Sequence, residues 1–365
     1  MPKQKPKERN KLVFVSDVHI GAGRKGNYEH DYDWLSPKET ERFASFLLNL
    51  NKREDVKEVI LLGDIADNWV CPIDLVPPTF EEIFDAEKNK NVTENLNKLA
   101  QNPNIKIIYM PGNHDMGITE DFVENYFKGM VFGGSAESNS KYGDGRLHAE
   151  HGSAYTMFNA PDPINDPRKR LPLGYFISRA VATKAAKTGS KDRHYWTYFD
   201  DLLEAVGPQT ISESVFESIL EESGIPEDAE IVMPPVGGVD SKVDVPKIKE
   251  RYRSLYDQWV QTYGPGKAFL SVVSEFNLGK MADNLASKGN VRIVIFGHNH
   301  NSVMDKDEWF VKDRIYANCG AWCVEGKPPT FVETEKRKDK HIVRLMKWEK
   351  NKEVKVKEGS LKRGG

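Results

Sequence analysis

The sequence predicts an α/β fold with a helical insertion, and three observations support this. Short apolar runs alternate with segments of helical periodicity in the first and last parts of the chain, as they do where helices cover a sheet. Polar residues follow directly after several of these runs, where such folds place their chemistry. The middle of the chain has mainly helical patterning. These observations predict a core over 1–155, a helical insertion or lid over 156–280, a second part of the core over 281–350 and a polar tail over 351–365.

The composition is that of a folded protein with an ordinary core. Of its 365 residues, 39% are hydrophobic and 29% are charged, which allows a packed interior. The formal net charge of −3 argues against a protein that binds polyanions over its whole surface. Three cysteines cannot all pair and fit a reducing compartment. Because we find neither a signal-peptide core nor an apolar span, we expect a cytoplasmic location.

Strands and helices alternate in the first part of the chain. Leu12–Val15 is an unbroken apolar run, which predicts a strand buried on both faces. Phe43, Phe46, Leu47 and Leu50 recur at helical spacing, so a helix is expected over 36–51. The same patterns predict strands over 11–16, 56–62, 104–111 and 146–151, and helices over 79–101 and 121–128.

Helical patterning fills the insertion, and the α/β alternation then resumes. We expect no strong strand within the insertion. The predicted helices cover 173–188, 195–205, 212–222, 245–263 and 271–287. Strands are predicted over 291–296 and 314–318, followed by a hairpin of 330–335 and 341–348. The residues after Lys350 are polar, so a mobile tail is expected.

Residues that commonly bind metals follow five of the predicted strands. They are Asp17 and His19, Asp64, Asn113, His151, and His298 with His300. Residues two apart in an extended strand project to the same side. We therefore expect Asp17 and His19 to face one side together, and likewise His298 and His300. Carboxylate and amide oxygens mixed with imidazoles suit a pair of divalent manganese, iron or zinc ions. A thiolate zinc site is not indicated, because no cysteine belongs to the set.

The order of these motifs resembles the calcineurin-like metallophosphoesterase superfamily. In this chain it runs Asp17-Val-His19, Gly63-Asp64, Gly112-Asn-His-Asp115, His151-Gly152 and Gly297-His-Asn-His300. Five motifs in one order, each just after a predicted strand, form a strong signal. The resemblance implies a four-layer α/β/β/α sandwich, in which two mixed sheets lie between helices.

The resemblance also implies a role for each residue. Asp17, His19 and His300 would bind one cation. Asn113, His151 and His298 would bind the other, and Asp64 would bridge both. A hydroxide shared by two divalent ions, with Mn²⁺ the first candidate and Fe or Zn the alternatives, would attack phosphorus. His114 would donate a proton to the leaving oxygen, and Asp67 would orient its imidazole.

Several of these residues have a structural alternative. We interpret Asp115 as a residue that braces the turn, and we prefer His151 to His148, which is three residues away and faces the other side of a strand. Cys319 and Cys323 are interpreted as core or edge residues.

The insertion carries basic side chains on an apolar helix. Arg179, Lys184 and Lys187 are interleaved with apolar residues. Such a helix could be a lid that grips a phosphate or an amphiphilic substrate, or it could touch a membrane surface. We favour an ordinary amphipathic helix packed on the core.

Within the superfamily, the helical insertion before His298 and the stretch Asn318–Trp322 are similar to the UDP-2,3-diacylglucosamine hydrolase branch. That branch carries arginine where this chain has His114. The main hypothesis is therefore a phosphoesterase that acts on a small or lipid-linked phosphate ester, either a monoester, a diester or a pyrophosphate. The alternatives are a metal-dependent nuclease, which the net acidity disfavours, and a non-catalytic scaffold.

Overall fold

The computed structural model describes residues 8–23, 26–134, 141–189, 211–236, 239–275, 277–306, 313–324 and 326–362. The strands are β1 (Lys11–Val15), β2 (Val56–Leu62), β3 (Lys106–Met110), β4 (Val131–Phe132), β5 (Tyr142–Gly143), β6 (Leu147–Ala149), β7 (Glu230–Val236), β8 (Val239–Asp244), β9 (Ile293–Phe296), β10 (Val303–Lys306), β11 (Ile315–Asn318), β12 (Thr330–Lys336), β13 (Lys340–Glu349) and β14 (Lys352–Lys362). The α-helices are α1 (Pro37–Lys52), α2 (Phe80–Phe84), α3 (Lys90–Ala100), α4 (Glu120–Tyr126), α5 (Leu173–Thr188), α6 (Ile211–Glu222), α7 (Val245–Tyr252), α8 (Leu255–Tyr263), α9 (Pro265–Ser274) and α10 (Gly279–Ser287).

Two mixed sheets form the centre of the molecule. The larger has seven strands in the order β14-β13-β12-β1-β2-β3-β4, and the smaller has five in the order β10-β11-β9-β6-β5. Apolar residues of both sheets, such as Ile60 and Ile295, share one buried cluster between them. Helices α1 and α3 cover the outer face of the larger sheet, and α10 packs against the smaller. The predicted four-layer α/β/β/α architecture is therefore confirmed.

The second half of β2, Val59–Leu62, is entirely apolar. Val59 and Leu61 face the helices, whereas Ile60 and Leu62 face the second sheet. A strand between two covered faces must be apolar on both. On the outer layer, Ser36 caps α1 by accepting a hydrogen bond from the Glu39 amide at 3.4 Å, and a proline occupies the first turn, as expected for a helix start.

The end of the chain differs from the sequence prediction. The predicted hairpin is present, since β12 and β13 pair antiparallel. The expectation of a mobile polar tail over 351–365 is wrong for the residues described, because β14 pairs along the whole of β13 and forms one edge of the larger sheet. Exposed lysines on an edge strand discourage pairing with another chain, so polarity here reflects the edge position.

The predicted insertion contains more than helices. The helix predicted over 173–188 is confirmed as α5, whereas β7 and β8 form a two-stranded sheet where no strand was expected. These elements surround a buried cluster of their own, which includes Phe176, Phe216 and Tyr252. The helix predicted over 195–205 lies outside the described residues. Within the described part of the chain, no helix combines the length and apolarity needed to cross a bilayer.

Candidate metal centre

The carboxyl ends of five strands bring the predicted ligands together. Asp17 and His19 follow β1, Asp64 follows β2, Asn113 follows β3, His151 follows β6, and His298 and His300 follow β9. The strands β1, β2 and β3 run parallel in one sheet, and β6 and β9 run parallel in the other. Parallel strands place their carboxyl ends at a common edge. The two sheets therefore deliver their polar loops to one place.

Backbone strain is concentrated at this edge. Among the described residues, nine that are not glycine have a positive φ, and five of these are predicted ligands. Their φ values are 54° for Asp17, 55° for His19, 54° for Asp64, 74° for His298 and 56° for His300. Left-handed backbone is costly for residues with a Cβ, and it persists where a functional site requires it.

The first group of donors comprises Asp17, His19 and His300. Nε2 of His19 lies 3.1 Å from Nε2 of His300 and 4.0 Å from Oδ1 of Asp17. The same aspartate oxygen lies 3.4 Å from Nε2 of His300. Asp64 is also close, since its Oδ2 lies 3.7 Å from Nε2 of His19.

The second group shares Asp64 with the first. Nε2 of His151 lies 3.1 Å from Oδ2 of Asp64 and 3.1 Å from Oδ1 of Asn113. Donor atoms of Asp64, His151 and His298 all lie within 4.8 Å of one another, as do those of Asp17, His19 and Asp64. Asp64 thus lies between two clusters of possible ligands, and all but the partly exposed His298 and His300 are buried.

Hydrogen bonds on the far side of each ring fix which nitrogen faces the clusters. Nδ1 of His19 lies 2.7 Å from Oδ2 of Asp67, and Nδ1 of His151 lies 2.9 Å from the Leu62 carbonyl. Both contacts require a proton on Nδ1, which leaves Nε2 with a lone pair for a cation. In His298 the Nε2 lies 3.0 Å from Thr156 Oγ1, whose own proton goes to the Ser153 carbonyl. His298 therefore has Nδ1 available.

Charge at the second group is unevenly distributed. Burial raises the pKa of Asp64, but the charges of His151 and His114 outweigh burial and hold that pKa well below its usual range. Burial disfavours the charged form of His151, yet Asp64 and Asp17 raise its pKa to about 10. Burial and the neighbouring His151 lower the pKa of His298 to about 3. His151 therefore holds its extra proton in the absence of a cation.

His114 lies beside the two clusters and is enclosed by aromatic rings. Its ring centroid is 4.5 Å from that of Trp69, 5.3 Å from that of Trp34 and 4.7 Å from that of His19. Its Nδ1 lies 3.0 Å from Oδ2 of Asp67, in an ion-pair contact without the alignment of a hydrogen bond. Sequence reasoning missed the two tryptophans and the contact of Asp67 with His19, because no local motif links these positions.

Asp115 braces the turn, as the sequence analysis predicts. Its carboxylate accepts hydrogen bonds from the amides of Gly112, Asp64 and Ile65 and from the Tyr109 hydroxyl, at 2.6, 3.2, 2.9 and 2.6 Å. Gly112 has no room for a side chain, because a Cβ there would lie 2.2 Å from Oδ1 of Asp64. The turn after β3 is therefore held tightly against the turn after β2.

Two further expectations are clarified by the contacts. His148 pairs with Glu150, whereas His151 lies in the second group. Cys319 and Cys323 are both buried, as expected for core residues. No motif in the sequence indicates that the Cys323 sulfur lies within 4.8 Å of ring nitrogens of His19 and His300, as it does in the structure.

The basic residues of α5 have partners in the described structure. The buried Arg179 guanidinium donates hydrogen bonds to the carbonyls of Cys71, Pro72, Leu75 and Val232 and to the Tyr175 hydroxyl. Lys184 pairs with Glu222 at 3.2 Å. The Arg179 guanidinium is therefore not available to a phosphate, because its donors are already used.

Buried polar residues from the insertion extend the second group. Asn113 Nδ2 donates to Asn159 Oδ1 at 3.3 Å, and Asn159 Nδ2 donates to Glu275 Oε2 at 3.0 Å. Sequence reasoning missed both Asn159 and Glu275, since they lie 46 and 116 positions from their partners and belong to no local motif.

Comparison with known proteins identifies one matching family. The model of the family described as calcineurin-like phosphoesterase matches residues 11–302. Similar solved structures include a dimetal phosphatase from Danio rerio, with 12% identity and a TM-score of 0.42 over 98% of this chain and 99% of that chain. The phosphoesterase Yfce from E. coli has 11% identity and a TM-score of 0.35 over 96% of this chain and 99% of that one. A search of curated proteins found no match.

Proposed function

The chain belongs to the calcineurin-like phosphoesterase family and is a metal-dependent phosphoric ester hydrolase; we propose that it works with a pair of divalent cations and that His114 is its proton donor. The observation that supports this is the sharing of Asp64 by two groups of donors. In two-cation hydrolases, a shared carboxylate holds the ions about 3.5–4 Å apart.

We assign Asp17, His19 and His300 to one cation and Asn113, His151 and His298 to the other, with Asp64 between them. The donor set fits this role, because Nε2 of His19 and His151 and Nδ1 of His298 are left with lone pairs by their other contacts. When bound, the cations would activate a water molecule and offset charge on the phosphoryl group. Mixed oxygen and nitrogen donors suit Mn²⁺, with Fe²⁺ and Zn²⁺ as the alternatives to test.

His114 is positioned to transfer a proton. Burial lowers its pKa, but Asp67 and Asp64 more than compensate, so that the pKa lies above its ordinary value. A histidine held in its protonated form near neutral pH can donate to a leaving oxygen. Since Nδ1 faces Asp67, Nε2 is the nitrogen that would face the substrate.

The substrate we propose is a small or lipid-linked phosphate ester. The net charge of −3 and the partners that Arg179 and Lys184 already have support this choice over a nucleic acid. Whether the bond cleaved is a monoester, a diester or a pyrophosphate depends on how much room lies beside His114.

Hydrolysis assays test this proposal. The purified protein is freed of metal, reloaded with Mn²⁺, Fe²⁺ or Zn²⁺, and assayed on model phosphomonoesters, phosphodiesters and a sugar-nucleotide pyrophosphate. We expect turnover of at least one class and its loss in Asp64→Ala, with Glu230→Ala at an exposed position of β7 as the matched control. Absence of turnover with every cation and every substrate class would overturn the proposal.

A further inference from the structure

A buried chain of polar side chains runs from the insertion to Asn113. Glu275 lies just after α9, and its two carboxylate oxygens accept hydrogen bonds from the Phe158 amide at 2.7 Å and from Asn159 Nδ2 at 3.0 Å. Asn159 Oδ1 in turn accepts a hydrogen bond from Asn113 Nδ2 at 3.3 Å. The exposed fractions of Asn113, Asn159 and Glu275 are only 1%, 6% and 3%, so water does not compete for these contacts.

The direction of the hydrogen bonds between these side chains is set at the Glu275 end. A backbone amide can only donate, so the Glu275 oxygen facing Phe158 must accept. An ionised carboxylate accepts at both oxygens, which obliges Asn159 to present its NH₂ group to Glu275 and its oxygen to Asn113. Asn113 must then present its own NH₂ group to Asn159. Its Oδ1 is left to face His151 Nε2, 3.1 Å away.

We propose that Glu275 and Asn159 are positioning residues, which fix the Asn113 amide with its oxygen toward the second cation. The inference rests on the proposed function, in which Asn113 is a ligand of that cation. An amide that was free to rotate would present its NH₂ group for part of the time, and an NH₂ group cannot bind a cation. The insertion would thereby influence metal binding in the core.

Packing holds the middle of the chain in place. Gly174, in the first turn of α5, donates its amide to the Phe158 carbonyl at 2.8 Å. A Cβ at Gly174 would lie 2.3 Å from Asn159 Oδ1, so the absence of a side chain there lets α5 approach the asparagine closely. The segment that carries Phe158 and Asn159 is thus clamped between α5 and Glu275.

The charge state of Glu275 sets the conditions of the test. Burial raises the pKa of Glu275 to about 8, against hydrogen bonds from Phe158 and Asn159 that lower it. At about pH 9 the side chain is therefore mainly ionised, and both oxygens act as acceptors.

Glu275→Gln reverses the direction of these hydrogen bonds without changing the shape of the side chain. The glutamine oxygen must face the Phe158 amide, because that donor cannot turn. The glutamine NH₂ group then faces Asn159, which has to rotate and present its oxygen. Asn159 now points its NH₂ group at Asn113, so Asn113 must turn its oxygen away from the cation.

A second substitution restores the original direction. In the double variant Asn159→Asp with Glu275→Gln, the carboxylate introduced by the first change accepts from the glutamine NH₂ group and from Asn113 Nδ2. Asn113 Oδ1 then faces the cation again. A role in packing alone predicts no such rescue, since the double variant has the same size and shape as the single one.

The experiment measures Mn²⁺ binding at about pH 9 by calorimetry and by metal analysis, together with the thermal unfolding of each protein. We expect Glu275→Gln to weaken binding at one of two sites by about 10–100-fold, the usual effect of losing an outer contact to a ligand. The double variant should recover most of that affinity. Glu230→Gln, at an exposed position of β7, is the matched control and should bind as the wild type does.

The outcomes separate the two proposals. If the wild type binds fewer than two Mn²⁺ ions, or if Asn113→Ala keeps both, the metal assignment fails. If Asn113→Ala loses one ion while Glu275→Gln binds both with wild-type affinity, the positioning role is overturned. If Glu275→Gln does not fold, the double variant decides, because a folded double variant with weak binding also overturns the positioning role.

Discussion

Nδ1 of His114 lies 3.0 Å from Oδ2 of Asp67. The same oxygen lies 2.7 Å from Nδ1 of His19, so one carboxylate supports both the proposed proton donor and a proposed cation ligand. Burial raises the pKa of Asp67, but the charge of His114 and its contact with His19 hold it below its usual range. The carboxylate therefore stays ionised under all ordinary conditions and favours the protonated form of His114.

Asp67→Asn should shift the pH profile of hydrolysis. Without the carboxylate, the pKa of His114 falls, so the proton donor is lost at lower pH than in the wild type. We expect the basic limb of kcat/KM to move to lower pH, and activity at neutral pH to fall by about 10–100-fold. Mn²⁺ content is measured in parallel, because His19 loses a partner too. An unchanged basic limb with full metal content would contradict the role of Asp67.

His114→Ala should affect substrates according to their leaving group. A proton donor contributes about 10²–10⁴-fold when the departing oxygen is strongly basic. Nitrophenolate leaves without a proton, so its esters should lose much less activity than alkyl phosphates. Steady-state rates on a matched pair of aryl and alkyl esters check this. Equal losses on both would indicate that His114 binds substrate and does not donate a proton.

Cation affinity should rise with pH through the neutral range. The pKa of His151 is about 10, so at lower pH its proton has to leave before a cation binds. A single displaced proton makes the affinity increase about tenfold for each pH unit below that pKa. Calorimetry with Mn²⁺ in buffers of different ionisation enthalpy measures the proton release directly. Binding that is independent of pH would show that the cation does not displace a proton from His151.

Asp115→Ala should destabilise the fold. It would leave the amides of Gly112, Asp64 and Ile65 and the Tyr109 hydroxyl without their acceptor. Each unsatisfied buried group costs about 1–3 kcal/mol, so we expect a loss of about 3 kcal/mol or more after local relaxation. Urea unfolding measures it, and Glu124→Ala on the exposed face of α4 should cost less than about 1 kcal/mol. A neutral Asp115→Ala would mean that other groups satisfy these donors.

The features of the site that follow directly from strand ends could be predicted from the sequence. The apolar runs before Asp17 and Asp64 are strands with both faces covered. A strand that is buried on both faces appears in the sequence as an unbroken run of apolar residues. The short motif after each strand then identifies the side chains at the common edge. Asp115 could be predicted as a brace because two of its four partners, Gly112 and Tyr109, lie in its own turn or on the strand before it.

Contacts that depend on the tertiary fold could not be predicted in this way. Glu275 reaches Asn159 across 116 positions, and nothing in the local pattern of either residue indicates the other. The strand β14 was missed for a different reason. Its exposed edge needs no apolar face, so its sequence resembles that of an unstructured tail. Only the pairing with β13 in the folded protein reveals that it is a strand.

The position of β1 between β2 and β12 has a consequence for biosynthesis. Lys11 pairs with Val56 on one side and with Glu335 on the other. During translation, the first of these pairings can form soon after β2 leaves the ribosome, whereas the second must wait until β12 has been made. Until then, one side of β1 is an open edge on the nascent polypeptide, and such edges promote misassembly. We therefore expect the larger sheet to close only once β12 has left the ribosome, and refolding to be sensitive to anything that occupies β12.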